Sequence, residues 1–336
     1  MNNQSSSLEF SHFPVMLNEI LKISAPTSKK NFIDCTFGGG GYSRQILNFS
    51  NTNVYAIDRD KKAFSIAKEL ELKFPNRFKF YQIKFSQIDK IPKNDVDVVI
   101  FDLGLSSIQL DDLERGFSFN SKKKLNMTMG LNEITALDAI NNLSEKELKL
   151  VIKILGEEKE ASIIAKNIVK HRKINEITNT SDLVKIIEKS KKINYANKIN
   201  PCTKTFQAIR IFVNKEITEL IHGVINATKK LKPGGKIIVI SFHSLEDRIV
   251  KYFFTNFSKN QSRPSRYLPE HQVSNATLFN EYKNKVLRPS NIEIKKNSRS
   301  RSAKLRFAIR SNTKFQYPSK MIKKFKKYLD LEAINV

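Results

Sequence analysis

In FDLGLSSIQLDDLERGFSF, Phe101 to Phe119, the chain places Asp102, Ser106, Ser107, Gln109, Asp111 and Asp112 in quick succession after an apolar run. Acids, hydroxyls and an amide gathered in this way can orient a bound group or accept a proton from a reacting amine. A second polar cluster, SFHSLEDR from Ser241 to Arg248, brings His243 together with Glu246, Asp247 and Arg248. A histidine there can move a proton near neutral pH. A third feature is Gly38-Gly39-Gly40-Gly41, where the backbone can approach a ligand closely and a following helix presents free N–H groups. Asp58 lies twenty residues beyond Gly38, the spacing at which an acid ending the next strand reaches the ribose hydroxyls of an adenosine.

These groups need a scaffold that brings them to one edge, and the apolar patterning supplies it. NFIDCTF (Asn31 to Phe37), VYAID (Val54 to Asp58), RFKFYQIKF (Arg77 to Phe85) and VDVVIFD (Val96 to Asp102) read as four strands. The last is a short Val- and Ile-rich run bounded by charge, as in a central parallel strand. Helical spacing marks Phe13 to Ile23 before the break at Pro26, YSRQIL after the glycines, and KKAFSIAKELELKF after the second strand. Strands alternating with helices predict a doubly wound α/β sheet, whose ligands bind beyond the carboxyl ends of the strands. Asp58, Asp102 and His243 all fall at such ends.

From Thr135 to Lys192 almost every window is helical, with Ser144 and Glu147 spaced as a capping box, so this stretch is expected to be an inserted helical bundle. Phe206 to Leu231 reads as one long amphipathic helix, Pro233-Gly234-Gly235 as a turn and Lys236 to Phe242 as a strand. Ser258 to Tyr282 is expected to be irregular, and Ala303 to Arg310 to be a last strand.

At 336 residues the chain is long for a single core. Its two cysteines, Cys35 and Cys202, lack zinc or disulfide spacing and read as packing residues, so neither a disulfide framework nor a zinc site is indicated. No stretch is long and apolar enough for a membrane span, and MNNQSSSLEF lacks the features of a signal peptide, so a cytoplasmic protein without a membrane partner is expected. The net charge of +26 calls for a polyanionic partner. Lysine is abundant throughout, but Lys283 to Lys327 carries sixteen Lys or Arg against one acid, Glu293, which is a one-signed stretch rather than a mixed solvated face. Nucleic acid fits this better than a membrane.

The glycine run lacks the GxGxxG order of a pyrophosphate grip, and no hydride-transfer group is evident, so a methyl donor fits the pocket better than a nicotinamide. Asp102 could then accept a hydrogen bond from an exocyclic base amine, whose lone pair is otherwise delocalised into the ring. It could equally orient the cofactor.

CTFGGGGYSR, AIDRD, FDLGLSSIQLDDLERGFSF, TKTFQAIRI, KPGGKIIVISFHSLEDRIVK and NSRSRSAKLR, in this order, closely resemble the bacterial small-subunit rRNA cytosine-N(4) methyltransferase H family over Phe10 to Arg310. The resemblance implies a class I S-adenosylmethionine-dependent methyltransferase fold, Rossmann-like, with a helical insert. The division would be a first methyltransferase part over 1–125, an insert over 126–205, a second part over 206–310 and a basic tail over 311–336. It implies cofactor contacts at Gly40, Gly41, Tyr42, Asp58, Phe85, Asp102 and Gln109; Asp102 and His243, at strand ends, are the catalytic candidates from position alone. The implied acceptor is a decoding-centre (P-site) cytosine of 16S rRNA in an assembled or nearly assembled small ribosomal subunit. Tyr42 stands where the family commonly has His, and Asn126 where it commonly has Asp. Competing readings are a DNA amino-methyltransferase, whose Asp/Asn-Pro-Pro-aromatic signature is missing after Asp102, and an RNA-binding ribosome-assembly protein without turnover. Monomer and homodimer fit the sequence equally.

Overall fold

The computed structural model describes residues 14–26, 29–121, 123–191, 200–259 and 277–336. Helix α1 (Leu17–Ser24) leads into β1 (Asn31–Asp34), α2 (Gly41–Leu47), β2 (Asn53–Ile57), α3 (Lys62–Lys73), β3 (Phe78–Tyr81) and β4 (Val96–Asp102). After the short α4 (Ser107–Asp111) come α5 (Ala136–Asn142), α6 (Glu145–Leu155), α7 (Ala161–Arg172) and α8 (Thr180–Ser190). The chain then forms α9 (Thr203–Asn214), α10 (Glu216–Lys230), β5 (Leu231–Ser241), α11 (Ser244–Asn256), α12 (Asn291–Lys296), β6 (Lys304–Ile309) and α13 (Ser319–Glu332).

The sheet runs in the order β3-β2-β1-β4-β5-β6, with five strands parallel and β6 antiparallel to β5. Because strand side chains alternate, β4 sends Val98 and Ile100 into the core under α1–α3, and Val99 and Phe101 into the core shared with the later helices. Each such aliphatic side chain contributes about 1.5–3 kcal/mol when fully buried. Asp102 is the one residue of β4 that is not fully buried, so the strand ends where the site begins. Apolar residues of α5–α8 join those of α9, α10 and the sheet in one continuous core. Among the described residues no helix is long and apolar enough to cross a membrane.

Several expectations are corrected. The third strand stops at Tyr81, and Phe85 opens a 3-10 turn, Phe85–Lys90, instead of ending a strand. Contacts from α10 reshape this segment: Ser86 N–H donates to Glu219 and the Ser86 carbonyl accepts from Asn226. The single helix expected from Phe206 to Leu231 is two helices, broken at Lys215, which adopts a left-handed conformation with φ 50°. The preceding Asn214 side chain is committed to the 126–132 loop, accepting from Met129 N–H and donating to the Met127 carbonyl. The segment expected to be a basic tail contains α13, whose Met321, Phe325, Tyr328 and Leu331 are buried. The first helix begins at Leu17, and part of the irregular stretch, 260–276, lies outside the described residues.

Candidate active site

Three carboxylates stand at the carboxyl ends of adjacent parallel strands: Asp34 on β1, Asp58 after β2 and Asp102 on β4. Burial, the largest cause in each case, pushes Asp34 and Asp58 up to about 6 and Asp102 up to about 8. Asp34 is partly relieved by Ser43, whose hydroxyl donates to it at 2.7 Å. Asp58 accepts Gly38 N–H at 2.7 Å and Asp60 N–H at 2.8 Å, so the acid and the glycine turn hold each other in place.

Asp102 is less satisfied. Its backbone N–H donates to the Thr36 hydroxyl at 2.8 Å, but Oδ1 is buried with no hydrogen-bond partner among the described residues. Oδ2 lies 3.2 Å from the Tyr42 hydroxyl, which is also 2.6 Å from the Val15 carbonyl. A phenol has one proton for these two acceptors. While it serves Val15, Asp102 can complete the other contact only by donating, as the neutral acid.

The glycine turn is shaped by packing as well as by ligand access. Gly40 caps α2 at φ 76°, and a Cβ there would meet the Phe37 ring at 2.8 Å. At Gly41 a side chain would strike Pro14, whereas Gly39 faces open space. Tyr42 is buried in the core beneath α2, and only its hydroxyl reaches the site. Phe85 stacks edge-on against Phe101 at 5.5 Å.

Gln109 is buried and doubly engaged. It forms a capping box with Ser106 at the start of α4, and its Nε2 donates to Asp60 at 3.0 Å. Asp60 is also gripped by both terminal nitrogens of Arg115, which hold it below the usual carboxylate range although burial acts the other way. Asp112 pairs with Lys62 and Arg115, and Asp111 with Arg299 on the exposed rim.

His243 caps α11: its Nδ1 accepts Glu246 N–H at 3.4 Å, and Glu246 in turn accepts from Phe242 and His243 N–H. His243 Nε2 lies 3.0 Å from Glu246 Oε1 without hydrogen-bonding alignment. Glu216, His243 and Glu246 have ligand atoms within 4.8 Å of one another. Their contacts compete with a cation, however. Arg210 grips both oxygens of Glu216 at 2.7 and 2.8 Å, and an Nδ1 that accepts leaves the neutral ring's proton on Nε2.

The MraW methylase family model matches residues 9–311. A ribosomal RNA small subunit methyltransferase H from Bartonella bacilliformis is 45% identical over 300 residues, covering 89% of this chain and 90% of that protein. The enzyme of the same name from Ehrlichia canis is 45% identical over 300 residues, covering 88% and 98%. A solved rRNA methylase from Streptococcus thermophilus aligns at 9% identity and TM-score 0.38 over 86% of this chain and 92% of its own.

The chain belongs to the MraW methylase family.

The methylase has the class I methyltransferase fold, and S-adenosylmethionine is its methyl donor. The residues present fit that cation. The orphaned Asp102 Oδ1 and the raised carboxylates at the strand ends would each gain from a positive charge, and the glycine turn leaves room above Gly39.

Asn126 accepts from Thr128 N–H and from the Thr128 hydroxyl through its amide oxygen, a loop-holding contact that an Asp there could also make. Sequence reasoning missed Asp34, Thr36, Arg59, Asp60, Arg115, Arg210 and Glu216. Arg59 donates to Gly130 at 2.7 Å and Asn214 at 3.0 Å, pinning the end of β2 to the insert side. Two local signals were available, the capping-box spacings Ser106-x-x-Gln109 and His243-x-x-Glu246. The long-range partners left no such trace.

Proposed function

We propose that this methyltransferase methylates the exocyclic N(4) amine of a decoding-centre (P-site) cytosine in 16S rRNA of the small ribosomal subunit, acting in the cytoplasm on an assembled or nearly assembled particle. The observation that carries this reading is Asp102, at the end of the central strand, with a buried oxygen awaiting a partner in a chain of this family. Curated relatives at 45% identity, named as methyltransferases of small-subunit ribosomal RNA, support the substrate.

When bound, S-adenosylmethionine supplies an electrophilic methyl group on its sulfonium. Asp102, as the carboxylate that a nearby positive charge would favour, would accept a hydrogen bond at Oδ1 from the cofactor or from the amine and orient the group it holds. Asp58 holds the ribose hydroxyls. Gly40, Gly41, the Tyr42 backbone, Phe85 and Gln109 would line the cofactor's site, with Gln109 held in place by Asp60. His243 sets the start of α11 next to the reacting amine. RNA offers such an amine only when the base is unstacked, so the helices over 126–205 act as a recognition module for folded rRNA.

The test uses small subunits from a strain lacking the gene. Purified protein and S-adenosylmethionine should convert one decoding-centre cytosine to its N(4)-methyl form, located by mass spectrometry. Protein that binds the donor yet leaves that cytosine unmodified refutes the reading.

A further inference from the structure

Helix α13 lies outside the family match, which ends at residue 311. Its inner side is consumed by the core through Met321, Phe325, Tyr328 and Leu331. Phe325 stacks edge-on against Tyr252 of α11 at 5.2 Å, and the Tyr328 hydroxyl lies 3.4 Å from Arg248. At its end Glu332 caps α10, accepting Ile217 N–H at 3.0 Å, Thr218 N–H at 2.7 Å and the Thr218 hydroxyl at 2.6 Å. Those donors directly follow Glu216, which belongs to the His243 cluster, so the C-terminal end of α13 is tied to the start of α10.

The outer side carries Lys320, Lys323, Lys324 and Lys327, spaced i, i+3, i+4 and i+7, all exposed on one stripe. Like charges at these spacings weaken a helix, and a merely solvated face would mix signs. The one exposed acid of the helix, Asp330, stands i+7 from Lys323 at the edge of the stripe, where its charge is taken up by Lys326 at 2.6 Å. Two of the ammonium groups are placed over rings, Lys324 over Tyr252 at 5.9 Å and Lys327 over Tyr328 at 4.7 Å.

We propose that this lysine stripe is a docking surface for the phosphate backbone of RNA, added to the family fold. A polyanion relieves the self-repulsion, whereas a membrane surface would find no apolar wedge, because the apolar side of α13 is already buried. The inference takes from the functional reading above that the substrate is rRNA.

The test compares the full chain with a K323Q/K324Q/K327Q variant for binding to small subunits from the deletion strain across a salt series. Losing three phosphate contacts lowers the slope of log K against log salt by about 2 and weakens binding at physiological salt by about tenfold or more. S-adenosylhomocysteine affinity should be unchanged and thermal stability should not fall, and the matching Lys→Arg variant should keep the wild-type slope. A wild-type slope in the glutamine variant overturns the proposal, as does a loss of binding to anionic lipid vesicles without any change toward subunits. If the wild-type chain binds subunits and shows this lysine dependence yet leaves the cytosine unmethylated, the functional reading fails and the docking surface stands.

Discussion

Asp102 should make the free protein lose stability as the pH rises, and Asp102→Asn should remove that loss. The carboxyl is held at about 8 in the fold, mainly by burial, against an ordinary value of 3.8. A carboxyl raised in the folded state binds a proton that the unfolded chain has already released. Its contribution is therefore present below about pH 4 and lost progressively until the pH passes about 8. Over that window the slope is about 1.4 kcal/mol per pH unit, which gives roughly 2–3 kcal/mol between pH 5 and 7 and about 1 kcal/mol more by pH 9. These are upper bounds, because Asp102 is only partly closed from solvent. The assay is urea unfolding of both proteins without ligand at pH 5, 6, 7, 8 and 9. Asp58 and Glu332 titrate in both and cancel in the difference, and Asp34 enters it only through its coupling to Asp102, so the stability of the variant relative to wild type should climb with pH and level off near 9. A difference that stays constant from pH 5 to 7 refutes the buried, neutral Asp102 and with it the proton count at Tyr42.

Two further outcomes follow from the packing. Glu332→Ala strips the N-terminal cap from α10 and should cost about 1–2 kcal/mol in thermal or urea unfolding, while Glu332→Gln keeps an accepting oxygen and loses less. Because burial pushes Glu332 up to about 8, the wild type should lose stability as pH climbs from 4.5 toward 8, and the Gln variant should lack that component; parallel pH profiles would count against it. Arg115→Ala leaves Asp60 buried with Gln109 as its remaining side-chain partner and should destabilise by about 3 kcal/mol, at the low end for such pairs because Arg115 is partly exposed. A loss below about 1 kcal/mol in urea unfolding would show that water compensates the acid.

What could be read from the sequence was whatever periodicity and local spacing encode. VDVVIFD is β4 to the residue, because a run buried on both faces between charged ends has few other ways to fold. The Ser144 and Glu147 capping box forms as expected, since both partners lie within one helical turn. Asp58 and the glycine turn were legible as a pair because a parallel crossover brings successive strand ends together, and the Gly38 N–H bond to Asp58 joins them. The tertiary structure alone decided which polar groups are free and which are spent. Gln109 reads as a ligand contact in the sequence, and only the fold shows that Asp60 and Ser106 hold it as well. The helix break at Lys215 and the burial of α13 were equally hidden. Helical periodicity runs through the break without interruption, and the cap that Glu332 places on α10 comes from 115 residues away. Partners that far apart leave no mark on local pattern, because chain folding rather than sequence spacing sets the distance between them.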